Sequence, residues 1–328
     1  MKSLLKVEIT NNGSPSNRNM KVYYGTQEFE KLENAVVTSG TFDGVHLGHR
    51  KILNRLNEVA YQNKGESVVI TFYPHPRSVI SPDNQNVKLL STLDEKIELL
   101  EKSGVQHLLI IPFTREFSEL SSEEFIQKIL VQTIGTKTLV IGYDHRFGKN
   151  REGGFDYLKA NKERYGFEIE EISRQDIENM GVSSSKIRKA LQEGEVPSAD
   201  HFLGRNYSLS GVIVKGKQLG RTIGFPTANI QVREIAKLIP LDGVYAVKVY
   251  YKEKAFGGML NIGNRPTVDG TYQTVEVNIF DFDQEIYGEN LTVEFLQKIR
   301  NEQKFNGLDE LKAQIVKDKI TCKAILNL

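Results

Sequence analysis

Gly40-Thr41-Phe42-Asp43-Gly44-Val45-His46-Leu47-Gly48-His49 puts three glycines and two histidines into ten residues, directly after the β-rich run Ala35–Ser39. Glycines let a backbone approach a nucleotide closely. A helix start in such a place turns unpaired N–H groups and the positive end of its dipole toward a phosphate. His46 and His49 are three residues apart and can share a helical face, where imidazoles stabilise charge on a polyphosphate in its transition state. A lone His-x-x-His more often caps a helix, but the ten-residue context favours phosphate chemistry. It marks Gly40, Thr41, Phe42 and Gly48 as nucleotide-contacting candidates beside the two histidines.

About 130 residues later, Val182-Ser183-Ser184-Ser185-Lys186-Ile187-Arg188 offers three hydroxyls at a helix start and a guanidinium fork within the first turn. Together they can hold the β- and γ-phosphates of ATP. Alone, a serine run reads as an N-cap. Paired with the histidine string, it resembles the His-x-Gly-His nucleotidyltransferase superfamily, in which the two motifs share one ATP site. Such chemistry needs no protein nucleophile, because an acceptor phosphate oxygen is already anionic. Catalysis reduces to alignment, Mg²⁺ and charge stabilisation.

A second constellation lies in Gly216-Lys217-Gln218-Leu219-Gly220-Arg221-Thr222-Ile223-Gly224-Phe225-Pro226-Thr227-Ala228-Asn229. Gly216, Gly220 and Gly224 recur every fourth residue, in a loop whose N–H groups can fold over a polyphosphate. It is neither a Walker loop nor GxGxxG. Thr227 and Asn229 carry hard oxygen donors of the kind Mg²⁺ takes alongside phosphate oxygens. On a strand, Thr274, Glu276 and Asn278 share one face and Val275, Val277 and Ile279 the other, which makes Glu276 a candidate base for a substrate hydroxyl. Two more segments, Thr71–Pro76 and Gly142–Gly148, mix rings, prolines and charges after strands, as the wall of a flat-ligand pocket would.

The elements that must position these groups fall into two textures. From Ala35 to about Gln192, strands at Ala35–Ser39, Ser67–Phe72, His107–Ile111, Thr138–Ile141 and Glu168–Ile172 alternate with amphipathic segments, the pattern of a parallel sheet covered by helices. Ser121 and Glu124 form a capping box, and a short helix Ser184–Gln192 stops at Gly194. Beyond Pro197, Tyr207–Val214, Val244–Tyr251, Ala255–Leu260, Val275–Phe280 and Leu291–Leu296 are β-rich with almost no helix between them, which predicts an antiparallel barrel. A helix Leu308–Lys319, with Leu308, Leu311 and Ile315 toward the core, closes it. The fold class is therefore α/β: a doubly wound parallel-sheet domain, a boundary near Val196–His201, and a barrel with a closing helix. Residues 1–19 read as a flexible extension.

At 328 residues the chain suits two cores. A net charge of +1 supplies no global field for nucleic acid or an anionic membrane. The longest apolar runs are strand-sized, far below the ~20 residues of a bilayer span. Cys322 is the sole cysteine, so no disulfide or multi-cysteine metal site forms within the chain, and a reducing cytoplasm fits. No oligomeric state follows from these patterns.

Taken together, Gly40–His49, Thr71–Pro76, Gly142–Gly148, Val182–Arg188, Gly220–Asn229, Leu241–Ala246, Asn261–Thr267 and Glu276 resemble, in order and spacing, the prokaryotic bifunctional riboflavin kinase/FMN adenylyltransferases, the FAD synthetase family. The resemblance implies an FMN adenylyltransferase domain over 20–198 and a riboflavin kinase domain over 199–328, with riboflavin, FMN and ATP as partners. It implies that His46, His49 and Arg188 act on ATP phosphates, with Ser183, Ser184 and Ser185 alongside. It also implies that Asp144 and Arg146 lie near the flavin or metal, beside the flavin-wall candidates Pro74, His75 and Pro76, that Thr227 and Asn229 hold Mg²⁺, and that Glu276 deprotonates the riboflavin 5′-hydroxyl. His145 departs from the pattern, standing where many members carry an aromatic residue. A nucleotidyltransferase whose barrel merely binds flavin, and a flavin sensor with both sites idle, are the competing readings.

Overall fold

The computed structural model describes residues 19–80, 87–142, 145–173, 181–216, 218–267 and 270–328. The expected N-terminal extension, apart from Asn19, and the flavin candidate Asp144 lie outside them.

Ala35–Ser39 forms β2 and is buried along its whole length, as a central strand covered on both faces must be. Around it lie β1 (Lys21–Tyr24), β3 (Glu66–Tyr73), β4 (His107–Pro112), β5 (Thr136–Gly142) and β6 (Glu168–Ile172), all parallel, in the order β1-β4-β3-β2-β5-β6. The chain steps one way from β2 to β3 and β4, then returns to the far side of β2 for β5 and β6. This reversal opens a crevice beyond the carboxyl ends of β2 and β5, where ligands of open α/β sheets bind. Helix α1 (Leu47–Gln62) buries Leu53, Leu56, Val59 and Ala60 against the sheet, and α2 (Leu93–Lys102) starts at a capping box of Thr92 and Glu95. The box expected at Ser121 and Glu124 starts α3 (Ser122–Phe125), which widens into a π-helical stretch Ile126–Ile134. Periodicity did not disclose α4 (Phe155–Tyr165).

Helix α5 (Ser184–Glu193) stops at Gly194, whose φ of +81° suits glycine. The stretch expected to hold the boundary is itself a helix, α6 (Val196–Leu203). Its Val196, Ala199 and Leu203 are fully buried in one cluster with Ile187 and Leu191 of α5 and with Leu209, Val247 and Phe295 of the barrel. This cluster ties α5 and α6 to the barrel, apart from the clusters on the two faces of the parallel sheet, and a division at residue 198 passes through a packed helix.

The C-terminal sheet is a closed antiparallel barrel of β7 (Ser208–Val214), β8 (Ala228–Gln231), β9 (Gly243–Tyr251), β10 (Lys254–Thr267), β11 (Gly270–Ile279) and β12 (Asn290–Arg300), in the order β10-β11-β8-β7-β12-β9. Helix α7 (Leu308–Leu326) covers its outside. Of the expected stripe, Ile315 packs on the barrel wall and Leu311 is half-buried, but Leu308 is 62% exposed, and the docking face continues into the later turns. Cys322 packs with Val244, Ala246, Met259 and Phe280, and buried Asp318 takes a forked pair from Arg300 at 2.7–3.0 Å. Leu308 lies too close to the helix start to reach that wall.

Candidate active sites

The Gly40–His49 loop leaves β2 at the switch point and turns sharply. Gly44 has φ +80°, and a Cβ there would stand 2.9 Å from Leu90, so the position needs glycine twice over. Phe42 and Val45 also take positive φ (46° and 38°), a strain that concentrates at functional loops. Asp43, 2% exposed, is where the loop is anchored. Its carboxylate accepts the Leu90 N–H at 2.9 Å, the Ser91 N–H at 3.2 Å and Arg188 Nη2 at 2.5 Å. Arg188 Nε donates to the Lys88 carbonyl at 2.7 Å, and the Ser184 hydroxyl to the Asp43 carbonyl at 3.1 Å. The histidine and serine strings therefore meet in one place, as their pairing predicted. Ser183 is the N-cap of α5, accepting the Lys186 N–H at 3.3 Å, and Ser185 is exposed.

His46 is the N-cap of α1, its Nδ1 accepting the His49 N–H at 3.3 Å, and the two rings stack with centroids 3.7 Å apart. Gly48 leaves room for that stack, since a Cβ would lie 3.3 Å from the His46 ring. Burial pushes His46 down to about 4 and His49 well below the ordinary imidazole value, with the neighbouring cations reinforcing the shift. Both rings are thus neutral near pH 7, and each has a ring N–H to donate rather than a positive charge. Buried His49 Nδ1 has no hydrogen-bond partner among the described residues. Phe42 is buried in the core and backs the His49 ring at 5.1 Å, while the Gly40 N–H is taken by the Ile70 carbonyl at 3.0 Å. Thr41 is fixed through its carbonyl, which accepts Thr71 Oγ1 at 3.3 Å.

Lys96 of α2 lies beneath this loop. It is buried, its ammonium reaches Thr71 Oγ1 at 3.5 Å, and burial lowers its pKa to about 8. Sequence reasoning passed over Asp43 and Lys96. Asp43 sat inside the quoted string, but its role depends on partners 47 and 145 residues away. Lys96 carried one signal: three residues after Leu93 and four before Leu100, it falls on the apolar face of the helix.

Pro74 is exposed beyond a cis Tyr73–Pro74 bond, and Pro76 begins a short helical turn. His75, between them, is pushed down to about 4 by burial, with Asp43 opposing the shift and Lys96 and Arg188 adding to it. His145 Nε2 lies 3.2 Å from Ser39 Oγ, bringing the β5 loop to the same crevice. Arg146 is exposed and lies over the Gly154 backbone.

In the barrel, Asn229 on β8 stands opposite Glu276 on β11, and Thr227 Oγ1 donates to Glu276 Oε2 at 3.3 Å. A Cβ on Gly216 would fall 2.3 Å from Asn229 Nδ2, so glycine there keeps the amide in place. Thr227, Asn229 and Glu276 thus lie together where β8 pairs with β11. The glycine loop is tighter than expected: Leu219–Thr222 makes one helical turn, and the Gly224 and Phe225 N–H groups bond back to Arg221 and Gly220. Those two N–H groups are committed within the turn, which leaves Gly216 and Gly220 as the polyphosphate candidates. Thr274 and Asn278 flank Glu276 on its face, but both are buried, donating to the Gly263 and Pro226 carbonyls.

A family model described as FAD synthetase matches residues 28–186, and one described as riboflavin kinase matches residues 203–326. The chain is 41% identical to a bifunctional riboflavin kinase/FMN adenylyltransferase of Haemophilus influenzae, over 90% of this chain and 96% of that one. It is 40% identical to the Escherichia coli K12 protein of the same name, covering 94% and 99%, and 37% identical to that of Bacillus subtilis, covering 88% and 92%. A crystal structure of a macrolide-efflux protein from Streptococcus pneumoniae superposes with a TM-score of 0.84 at 31% identity, over 93% of this chain and 99% of that one. Among the described residues, no helix is long and apolar enough to cross a membrane.

Proposed function

The chain belongs to the bifunctional riboflavin kinase/FMN adenylyltransferase family, and from that premise we propose how its residues divide two reactions: riboflavin and ATP to FMN and ADP, then FMN and ATP to FAD and pyrophosphate. The kinase reaction belongs to the barrel, in a unit from about residue 199 to 328, and adenylylation to the parallel-sheet unit from about 20 to 198. The observation that carries the division is the Thr227–Glu276 contact, which sets a carboxylate among oxygen donors on paired barrel strands.

The riboflavin 5′-hydroxyl is neutral, so its attack on the γ-phosphorus requires proton removal, and Glu276 takes that proton. The Thr227 hydroxyl holds the carboxylate in orientation. Thr227 and Asn229 would hold Mg²⁺ through hard oxygens, and their placement fits an ion that completes its shell with water and phosphate oxygens. Bound there, the ion would neutralise charge on the phosphates. Gly216 and Gly220 allow those phosphates close approach.

Adenylylation needs no base. A phosphate oxygen of FMN attacks the α-phosphorus of a second ATP and pyrophosphate leaves. Neutral His46 and His49 donate hydrogen bonds to the phosphates, and Arg188, held by Asp43, faces the departing charge. Gly40 and Thr41 lie on the nucleotide side of this crevice, Phe42 and Gly48 back the histidine pair from behind, and Ser183–Ser185 form the polyphosphate side. Pro74, His75, Pro76 and Arg146 make up the flavin side, with Asp144 assigned to the flavin by the family resemblance alone. The single cysteine and the absence of a long apolar helix among the described residues support a cytoplasmic setting.

Chromatography of the purified protein with riboflavin, ATP and Mg²⁺ tests the pair of reactions. FMN followed by FAD is expected. FAD formed from supplied FMN but never from riboflavin would leave a monofunctional adenylyltransferase, and no product would leave a flavin sensor.

A further inference from the structure

We propose that Lys237, a residue of the barrel domain, is a positioning residue for adenylyl transfer in the other domain. The proposal rests on the assignment of Asp43 and Arg188 to the adenylyl-transfer site.

Lys237 lies between β8 and β9 and is 2% exposed. Its ammonium donates to Glu95 Oε2 of α2 at 2.6 Å and to the Leu90 carbonyl at 2.9 Å, and it lies 4.6 Å from the centre of the Tyr207 ring. A buried ammonium is costly unless paired and hydrogen-bonded, and these contacts offset that cost.

Residues 88–91 form a strip between the two domains. Toward the barrel, the Leu89 N–H bonds the Ala236 carbonyl at 2.6 Å, the Leu89 carbonyl accepts the Leu238 N–H at 2.8 Å, and the Lys88 ammonium bonds the Ile235 carbonyl at 3.0 Å. Toward the crevice, the Lys88 carbonyl accepts Arg188 Nε, and the Leu90 and Ser91 N–H groups hold Asp43. The Leu90 carbonyl held by Lys237 and the Ser91 N–H held by Asp43 belong to one planar peptide unit. Turning that plane to lose one bond tilts the other. Lys237 therefore fixes one of the two backbone donors that orient Asp43, and Asp43 in turn orients Arg188 and, through its carbonyl, Ser184.

The test uses the full-length enzyme carrying Lys237→Met together with Glu95→Gln, so that no carboxylate is left buried without its cation, with Glu95→Gln alone as reference. Misplacing a catalytic group from a distance costs up to about 10²-fold in rate. The double variant should lose about 10- to 100-fold in adenylylation kcat relative to Glu95→Gln, with the KM for ATP little changed and riboflavin phosphorylation intact. In a double-mutant cycle with Arg188→Ala the losses should be clearly less than additive, because both act through the same guanidinium. Additive losses, an equal fall in both activities, or unchanged adenylylation would each overturn the proposal. If the double variant does not fold, Lys237→Arg, which keeps the charge pair but shifts the donors, should show a selective fall of several-fold, and none would overturn it. Normal adenylylation by Arg188→Ala alone would instead overturn the site assignment beneath.

Discussion

Arg188 Nη2 lies 2.5 Å from Asp43 Oδ2, joining residues 145 positions apart at the carboxyl end of β2. The pair is enclosed, with side-chain exposures of 15% and 2%, so it is a fixed element of the crevice rather than a surface ion pair. Three backbone or side-chain groups besides Arg188 also depend on Asp43, which makes it the hinge of the site.

Asp43→Asn should therefore act on stability and rate together. Removing one charge of an enclosed pair costs about 3–5 kcal/mol, and thermal denaturation should register it as a lower Tm. Adenylylation should fall at least as far as in Arg188→Ala, where losing one transition-state contact costs about 10²–10³ in rate. Riboflavin phosphorylation by the folded fraction should persist, and loss of both activities in folded protein would count against separate sites.

His46 gives a pH prediction whose sign follows from burial. Its folded pKa of about 4 lies below the ordinary 6.5, so between those values the unfolded chain binds a proton that the folded chain refuses. The stability is fully present above pH 6.5 and is lost as the pH falls toward 4, by up to about 1.4 kcal/mol per unit. His46→Asn keeps an N-cap side chain and should make the curve shallower in that window, leaving the parts due to His49 and His75, which burial shifts the same way. Denaturant titrations of both proteins from pH 7 to 4.5 measure the difference, and parallel curves would contradict it.

Gly216→Ala places a methyl group where Asn229 now lies, 2.3–2.7 Å from its amide atoms. The amide must move, and with it one proposed Mg²⁺ ligand. The expected result is a higher Mg²⁺ requirement for riboflavin phosphorylation and an unchanged one for adenylylation, read from activity against Mg²⁺ concentration.

Local signals carried the fold furthest. β6 runs from Glu168 to Ile172 as its pattern predicts, and β2, β3, β4 and β5 are each found within two residues of their predicted ends. The strings around His46, Arg188, Thr227 and Glu276 were legible because glycine, serine and histidine spacing is a local property. What stayed hidden depended on distant partners. Asp43 reads as a turn residue until Leu90 and Arg188 arrive, and Lys237 reads as a surface lysine until Glu95 meets it. Helix α6 is hidden for the same reason: its Val196, Ala199 and Leu203 acquire meaning when the barrel packs on them.

Glu276→Gln probes the division between the two reactions most directly. It keeps the size of the side chain and a hydrogen bond to Thr227, but removes the carboxylate that takes the proton from the riboflavin hydroxyl. Both reactions are to be assayed at steady state on one preparation of folded variant, with riboflavin binding followed by flavin fluorescence. Loss of a general base costs about 10²–10⁴ in rate, so riboflavin phosphorylation should fall by that factor while riboflavin still binds and supplied FMN is adenylylated at the normal rate. Near-normal phosphorylation, or an equal fall in both reactions, would contradict the account.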